Sequence, residues 1–595
     1  MMKKHNAFER YLNIRSAHTP AWLSDDHRIA FLSDISGTPQ VWAVDSTGGW
    51  PDQLTFFQDK VWTLNVSPSG DRFICTRDVG GNERYQLYLG AHDGTELHRL
   101  SKAEKAIYHF GAWSSDGSQI AYVSNARNGT HFDVYIQNVD TGDPQLVYKS
   151  SGNYRVIAWS PDDSRLLLQN GISSAHQPLY ILSLADKQVK SLTPEKEPVD
   201  NEPVRWASDG NVYLITNQDR EHMNPARIDV STGRVTYLKD FSCDMESLAV
   251  SPDGRTLAFT MNENGYSKLC LYDLDSKDSK PITGLPSGIV AEPTFSKNGS
   301  YIAVSVQNPR HNLNIWTVDN HTLACKQVTQ SSVAGIVKDS FVEPELIHFN
   351  TFDRRNIPAF YYRPQNEPSP YPVILYVHGG PASQIRPDFD PRFQYFLNRG
   401  YAILAPNVRG SSGYGKTYMA LDDVEKRMDS VTDLKYAVKW LNGNREIDPN
   451  RIAIYGRSYG GFMVLAAITT FPDLWAAAID VVGIVNWVTF LENTGTWRRA
   501  HREQEYGSLD ADREFLESIS PIHKLDLIEA PIMVVHGAND PRVPATEADH
   551  VVDHLRKRNH PVEYLRYEDE GHKISKISNR IDSFTKMAAF LDHHL

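Results

Sequence analysis

The sequence predicts a two-domain protein: an N-terminal, all-β seven-bladed β-propeller followed by an α/β domain on a doubly wound, mostly parallel sheet. Three observations predict it. A five-residue phrase returns seven times before residue 300, the hydrophobic period changes after about residue 340, and 595 residues are too many for one hydrophobic core.

The phrase reads Trp22-Leu23-Ser24-Asp25-Asp26, Val66-Ser67-Pro68-Ser69-Gly70, Trp113-Ser114-Ser115-Asp116-Gly117 and Trp159-Ser160-Pro161-Asp162-Asp163. It continues as Trp206-Ala207-Ser208-Asp209-Gly210, Val250-Ser251-Pro252-Asp253-Gly254 and Phe295-Ser296-Lys297-Asn298-Gly299, a spacing of about 45 residues. Ser, Pro, Asp and Gly mark tight turns, and each phrase leads into an apolar run such as Ile120-Ala121-Tyr122-Val123. A second run follows in the unit, as in Val134-Tyr135-Ile136. Turn, strand, turn, strand without helical periodicity fits blades around a channel, which leave only short sheet edges exposed. The propeller is assigned to residues 18–335, and its repeated aspartates are expected to form turns rather than carry chemistry. Residues 1–17 are expected to be a helical extension packed on the second domain.

From residue 336 to 595, short apolar strands alternate with longer amphipathic stretches, the mark of a parallel sheet covered by helices. Strands are predicted at Val373–Val377, Ala402–Ala405, Ile452–Tyr455, Ala477–Asp480, Ile532–Val535 and Val562–Leu565. Helices are predicted over 431–442, 460–470 and 545–559. In such sheets, ligands gather at the carboxyl ends of the strands.

Four loops at those ends carry chemistry. Gly456-Arg457-Ser458-Tyr459-Gly460 lies between a strand and a helix, the setting of a nucleophile elbow that lifts the serine hydroxyl out of the sheet. A serine hydroxyl is a weak nucleophile and needs a base. His378-Gly379-Gly380-Pro381 can bring the Gly380 N–H to a developing oxyanion, with the N–H of Tyr459 as second donor; His378 itself reads as structural. Asp540, in His536-Gly537-Ala538-Asn539-Asp540, and His572, in Glu570-Gly571-His572, complete the order Ser, Asp, His. His572 would take the serine proton and Asp540 would orient the ring. His550, His554 and His560 compete as bases only from the preceding helix region, where Asp549 and Asp553 read as solvated. This elbow, oxyanion loop, acid and base define an α/β-hydrolase catalytic domain.

Composition narrows the partners. A net charge of -12 has the wrong sign for nucleic acid. The N-terminus lacks an apolar stretch behind its lysines, and no segment reaches 18 uninterrupted apolar residues, so a soluble, non-exported, cytoplasmic protein without membrane association is expected. Cys75, Cys243, Cys270 and Cys325 show no CxxC spacing and no HExxH occurs, so neither a metal nor another cofactor is implied.

With Asn407-Val408-Arg409-Gly410-Ser411-Ser412-Gly413-Tyr414-Gly415, Asn539-Asp540-Pro541-Arg542-Val543-Pro544 and the loops above, nearly the whole chain resembles the prolyl oligopeptidase family of serine peptidases, most closely its acylaminoacyl-peptidase-like branch. The resemblance implies a propeller that admits only short peptides and an arginine, here Arg542, that holds a substrate carbonyl. It also implies a specificity pocket near Trp487, Phe490 and Trp497, although the cluster Arg498-Arg499-His501-Arg502 departs from the apolar lining expected of that branch. Glu83 is a further candidate, a propeller carboxylate able to bind a free amino terminus. The expected function is a serine oligopeptidase acting through an acyl-enzyme at Ser458. Alternatives are a dipeptidyl-peptidase-type exopeptidase, a carboxylesterase or amide hydrolase on the same residues, and an inactive propeller-based binding protein. Short peptides are the expected partners, and a homo-oligomer stays open.

Overall fold

The computed structural model describes residues 7–24, 26–365 and 367–595, so residues 1–6 of the N-terminal extension and Asp25 of the first turn phrase lie outside the described residues. Between Ala17 and Gln327, seven sheets each hold four consecutive strands. The repeated phrase sits in the turn between the first two strands of each blade. Its serine donates to the residue two places on, as in Ser114 Oγ to Asp116 at 2.7 Å and Ser160 Oγ to Asp162 at 2.6 Å. Its tryptophan reaches the preceding blade: the indole N–H of Trp113 donates to Asn65 O at 3.3 Å, and that of Trp159 to Ala112 O at 3.1 Å. In such repeats one phrase therefore builds both a turn and a joint between blades.

Because every sheet keeps its own four strands, the ring closes through contacts between blades 1 and 7. Thr19 N–H donates to Glu292 at 2.7 Å, Trp22 Nε1 to Thr294 O at 3.1 Å, and Lys297 N–H to Asp26 at 2.8 Å.

The second domain holds one sheet of eight strands: β1 (Glu345–Asn350), β2 (Asn356–Tyr362), β3 (Tyr371–Val377), β4 (Ala402–Pro406), β5 (Ile447–Arg457), β6 (Ala477–Val481), β7 (Ile532–Gly537) and β8 (Val562–Tyr567). Their order is β1-β2-β4-β3-β5-β6-β7-β8. The six predicted strands form the parallel part, while β1 and β2 add an antiparallel edge. The helix Tyr459–Thr470 follows β5. Its sequence is apolar on every side, and its residues from Tyr459 to Thr469 are buried, as expected of a helix with no solvent face.

The helix Phe8–Leu12 packs on this domain, with the Phe8 ring 4.5 Å from that of Tyr395 and 5.0 Å from that of Phe584. Phe584 belongs to the C-terminal helix Ile577–His594. The propeller covers the carboxyl ends of the sheet. Thr130 bonds Thr496 at 3.0 Å, Arg386 Nε donates to Gly265 O at 2.8 Å, and Thr417 Oγ1 donates to Glu221 at 2.8 Å. Among the described residues, no helix is long and apolar enough to cross a membrane.

Candidate active site

The elbow begins where β5 ends. Ser458 has φ 62° and ψ -121°, a conformation that costs a non-glycine residue about 1–3 kcal/mol and that the flanking structure must impose. Its N–H is tied to Val481 O of β6 at 2.8 Å. Glycine is required at 456, because a Cβ there would lie 2.2 Å from Gly460 O.

Ser458 Oγ lies 3.0 Å from His572 Nε2, and His572 Nδ1 lies 2.6 Å from Asp540 Oδ2. Asp540 also accepts the N–H groups of Arg542 (2.8 Å) and Val543 (3.1 Å), which clamp its carboxylate at the end of β7. Burial works against charge at Asp540, but the His572 ring and its hydrogen bond outweigh it and hold the carboxyl below its ordinary range. An ionised carboxylate only accepts, so His572 Nδ1 carries the proton and Nε2 presents a lone pair to the Ser458 hydroxyl. Burial, reinforced by Arg457 and Arg542 against the pull of Asp540, lowers His572 to about 4. The ring is therefore a neutral base at physiological pH.

His536 supports the acid loop through Nε2 to Val543 O at 2.9 Å. Arg457, inside the elbow, donates to His572 O at 2.7 Å and fixes the base loop from the nucleophile side. The rival histidines are engaged elsewhere or at the surface: His554 faces Asp526 at 3.0 Å, His560 bonds Ala530 O at 2.9 Å, and His550 is exposed. Asp549 takes hydrogen bonds from Tyr564 and Arg566, and Asp553 is exposed.

The loop after β3 rests on the elbow, since a Cβ at Gly379 would stand 3.3 Å from Ser458 Cβ. His378 is buried, hydrogen-bonded to Gly379 O and Ser411 Oγ at 2.9 Å each, and braces this loop. Gly380 O accepts from the Tyr506 phenol at 3.1 Å. Tyr459 is the first residue of its helix, so its N–H lies at the positive end of the helix dipole.

The remaining candidates separate. Trp487 is fully buried against Phe462 (4.7 Å) and Tyr506 (4.5 Å), which makes it core packing behind Tyr506 rather than an exposed pocket wall. Phe490 packs in the same cluster. Trp497 crosses to the propeller, meeting Phe132 edge-on at 6.1 Å. It lines an interdomain cavity of about 1000 Å³ with Glu83, Arg84, Ile107, Asn539 and Pro541. Glu83 does not face solvent as an unpaired acid. It accepts from Arg542 Nε at 2.6 Å and from Arg498 at 3.5 Å, joining propeller to hydrolase beside the base loop. The arginine cluster is dispersed by helical spacing: Arg498 meets Glu83, Arg499 pairs with Glu503, His501 with Ser174, and Arg502 with Glu505.

Sequence reading missed Tyr506 and a buried set behind the elbow. Arg427 contacts Asp422, donates to the Tyr459 phenol at 3.1 Å and donates to Glu505 O at 2.8 Å; Tyr459 Oη in turn donates to Asp422 at 3.0 Å. No local motif announces such a network, because Asp422 and Arg427 sit in a run with Asp423, Glu425, Lys426 and Asp429 that reads as an ordinary charged surface segment. Among the described residues, no group of three His, Cys, Asp or Glu side chains could hold a metal ion.

Fold and site together define an α/β-hydrolase domain roofed by a seven-bladed propeller. Its residues 387–595 match the prolyl oligopeptidase family, and residues 76–237 match the TolB beta propeller domain. The chain is 35% identical over 216 residues to dipeptidyl aminopeptidase BIII of Pseudoxanthomonas mexicana, a match covering 36% of this chain and 31% of that protein. It is 28% identical over 246 residues to the acylamino-acid-releasing enzyme of Mus musculus, covering 40% of this chain and 34% of that one. The matched region thus spans about a third of the length of these curated relatives. Over the whole length, the fold superposes on a solved prolyl endopeptidase with a TM-score of 0.87 at 17% identity, covering 99% of this chain and 90% of the other.

Proposed function

We propose that this protein is a serine peptidase of short peptides, of acylaminoacyl-peptidase type. The observation that carries the reading is the continuous chain from Ser458 Oγ through His572 to Asp540 beneath the propeller. Ser458 Oγ attacks the scissile carbonyl while His572 Nε2 takes its proton. The N–H groups of Gly380 and Tyr459 hold the oxyanion, each contributing about 3 kcal/mol to the transition state. His572 then returns the proton to the leaving amine, and water repeats the sequence on the acyl-enzyme. Arg542, anchored through Nε by Glu83, holds a substrate carbonyl, and Trp497 borders the channel by which peptides approach. The propeller limits substrates by size, since entry passes between the domains.

A second reading, a dipeptidyl-type exopeptidase, is favoured by one observation: the propeller carboxylate Glu83 lies beside the base loop, where it could exchange its long contact with Arg498 for a peptide amino terminus.

Fluorophosphonate labelling combined with a peptide library tests both. Ser458→Ala is expected to lose labelling and at least about 10⁴-fold of kcat/KM; a variant that labels and cleaves like the parent would sink the mechanism. Cleavage of N-acetylated over free peptides supports the acylaminoacyl type, and release of dipeptides from free amino termini supports the second reading.

A further inference from the structure

A second set of charges flanks the candidate active site and remains unused by the mechanism. Lys60 Nζ sits 3.6 Å from the centroid of the Trp62 ring, and Lys573 Nζ approaches the same ring at 5.5 Å. Lys60 and Trp62 come from blade 2, whereas Lys573 directly follows His572, so the two domains aim two ammonium groups at one indole. The indole is fixed, since its N–H donates to Asp78 at 2.7 Å and its ring meets Tyr85 edge-on at 5.5 Å. Lys60 is half-buried and Lys573 is open to solvent, so a solute can reach them.

Among the described residues, neither lysine forms an ion pair with a carboxylate. The acids whose fields reach them are committed elsewhere: Asp78 to Trp62 and to Glu83 N–H (2.8 Å), Glu83 to Arg542 and Arg498. Further cations crowd the place, Arg457 acting on both lysines, Arg580 on Lys60 and Arg542 on Lys573. Partial desolvation against the surrounding protein, added to these like charges, brings both lysines down to about 8, so both still hold their protons at neutral pH. Holding like charges together without an acid costs free energy, and in a chain of net charge -12 the arrangement is not a by-product of a basic surface. An anion from outside the chain relieves that cost.

We propose that Lys60 and Lys573, backed by Trp62, form a subsite for an anionic group of the peptide substrate, either its free terminal carboxylate or an Asp or Glu side chain. The inference rests on the peptidase reading of Ser458.

The test uses matched peptide pairs, Glu against Gln at each position and free against amidated carboxyl terminus, with the parent, Lys60→Met, Lys573→Met and the double variant. The parent is expected to favour the anionic member of one pair by about tenfold in kcat/KM, the scale of one charge-assisted hydrogen bond. Each single variant lowers that ratio, the double variant brings it toward one, and Lys→Arg at both positions restores part of it. The ratio is internal to each protein, so it stays readable in a variant of reduced overall activity. Which pair responds separates a terminal carboxylate from a side chain. A parent ratio of one on every pair, or a ratio unchanged in the variants, overturns the subsite. A parent that fluorophosphonate does not label at Ser458 overturns the underlying reading instead.

Discussion

The rings of Tyr459 and Tyr506 lie parallel, 6° between planes and 6.3 Å between centroids, with the Arg427 guanidinium 5.2 Å from one and 5.1 Å from the other. Each tyrosine belongs to one half of the proposed oxyanion hole: Tyr459 supplies a backbone N–H, and Tyr506 holds the Gly380 carbonyl. Tyr506 closes the helix Thr496–Tyr506, whose other turns meet the propeller through Thr496, Arg498 and His501. One helix thus joins the propeller contact to the oxyanion loop.

Tyr506→Phe keeps the ring and removes only the hydrogen bond to Gly380 O. Steady-state kinetics are expected to show kcat lowered about tenfold with KM nearly unchanged, since a loosened donor is missed in the transition state. An equal effect on KM would assign Tyr506 to binding instead.

Arg427→Met leaves Asp422 buried without its cation. Burial, against the pull of Arg427, already raises the Asp422 carboxyl to about 7. Denaturant unfolding is expected to show a loss of about 3–5 kcal/mol. Adding Asp422→Asn should recover part of it, because the uncompensated acid is removed.

The pH profile follows from His572. Burial lowers the imidazole to about 4, and the base works only when neutral. As pH falls through about 4, the ring protonates and kcat/KM is expected to drop tenfold per unit; above that value the acid limb is flat. A limb near pH 6.5 would mean that the enclosed, neutral ring described above is not the working state.

Glu83→Gln removes the charged partner of Arg542. The prediction is a KM for peptides raised about tenfold with kcat little changed, because Arg542 loses its anchor while the Ser458 chain is untouched. If Glu83 instead receives a free amino terminus, discrimination between free and acetylated peptides collapses in the same variant.

Much of this was legible in the chain itself. The turn phrase marks the blades because Ser, Asp and Gly act within five residues, and each helix and strand around the elbow shows its own period. The edge strand β1 escaped because Glu345–Asn350 mixes polar and apolar residues without clean alternation. The pocket assignment for Trp487 failed for a different reason: an aromatic in a helix carries no mark of whether it faces substrate or core, and here Phe462, Phe490 and Tyr506 enclose it.

The sequence by itself determined the repeat architecture, the parallel sheet and the serine, acid and base candidates, since each depends on short-range turn chemistry or on motifs at strand ends. Only the tertiary structure decided what those residues touch. Arg542 and Glu83 stand 459 positions apart, Tyr506 and Gly380 126 apart, and Lys60 and Lys573 lie in different domains. No local pattern encodes such pairings, because burial and charge are set by whatever the fold brings alongside.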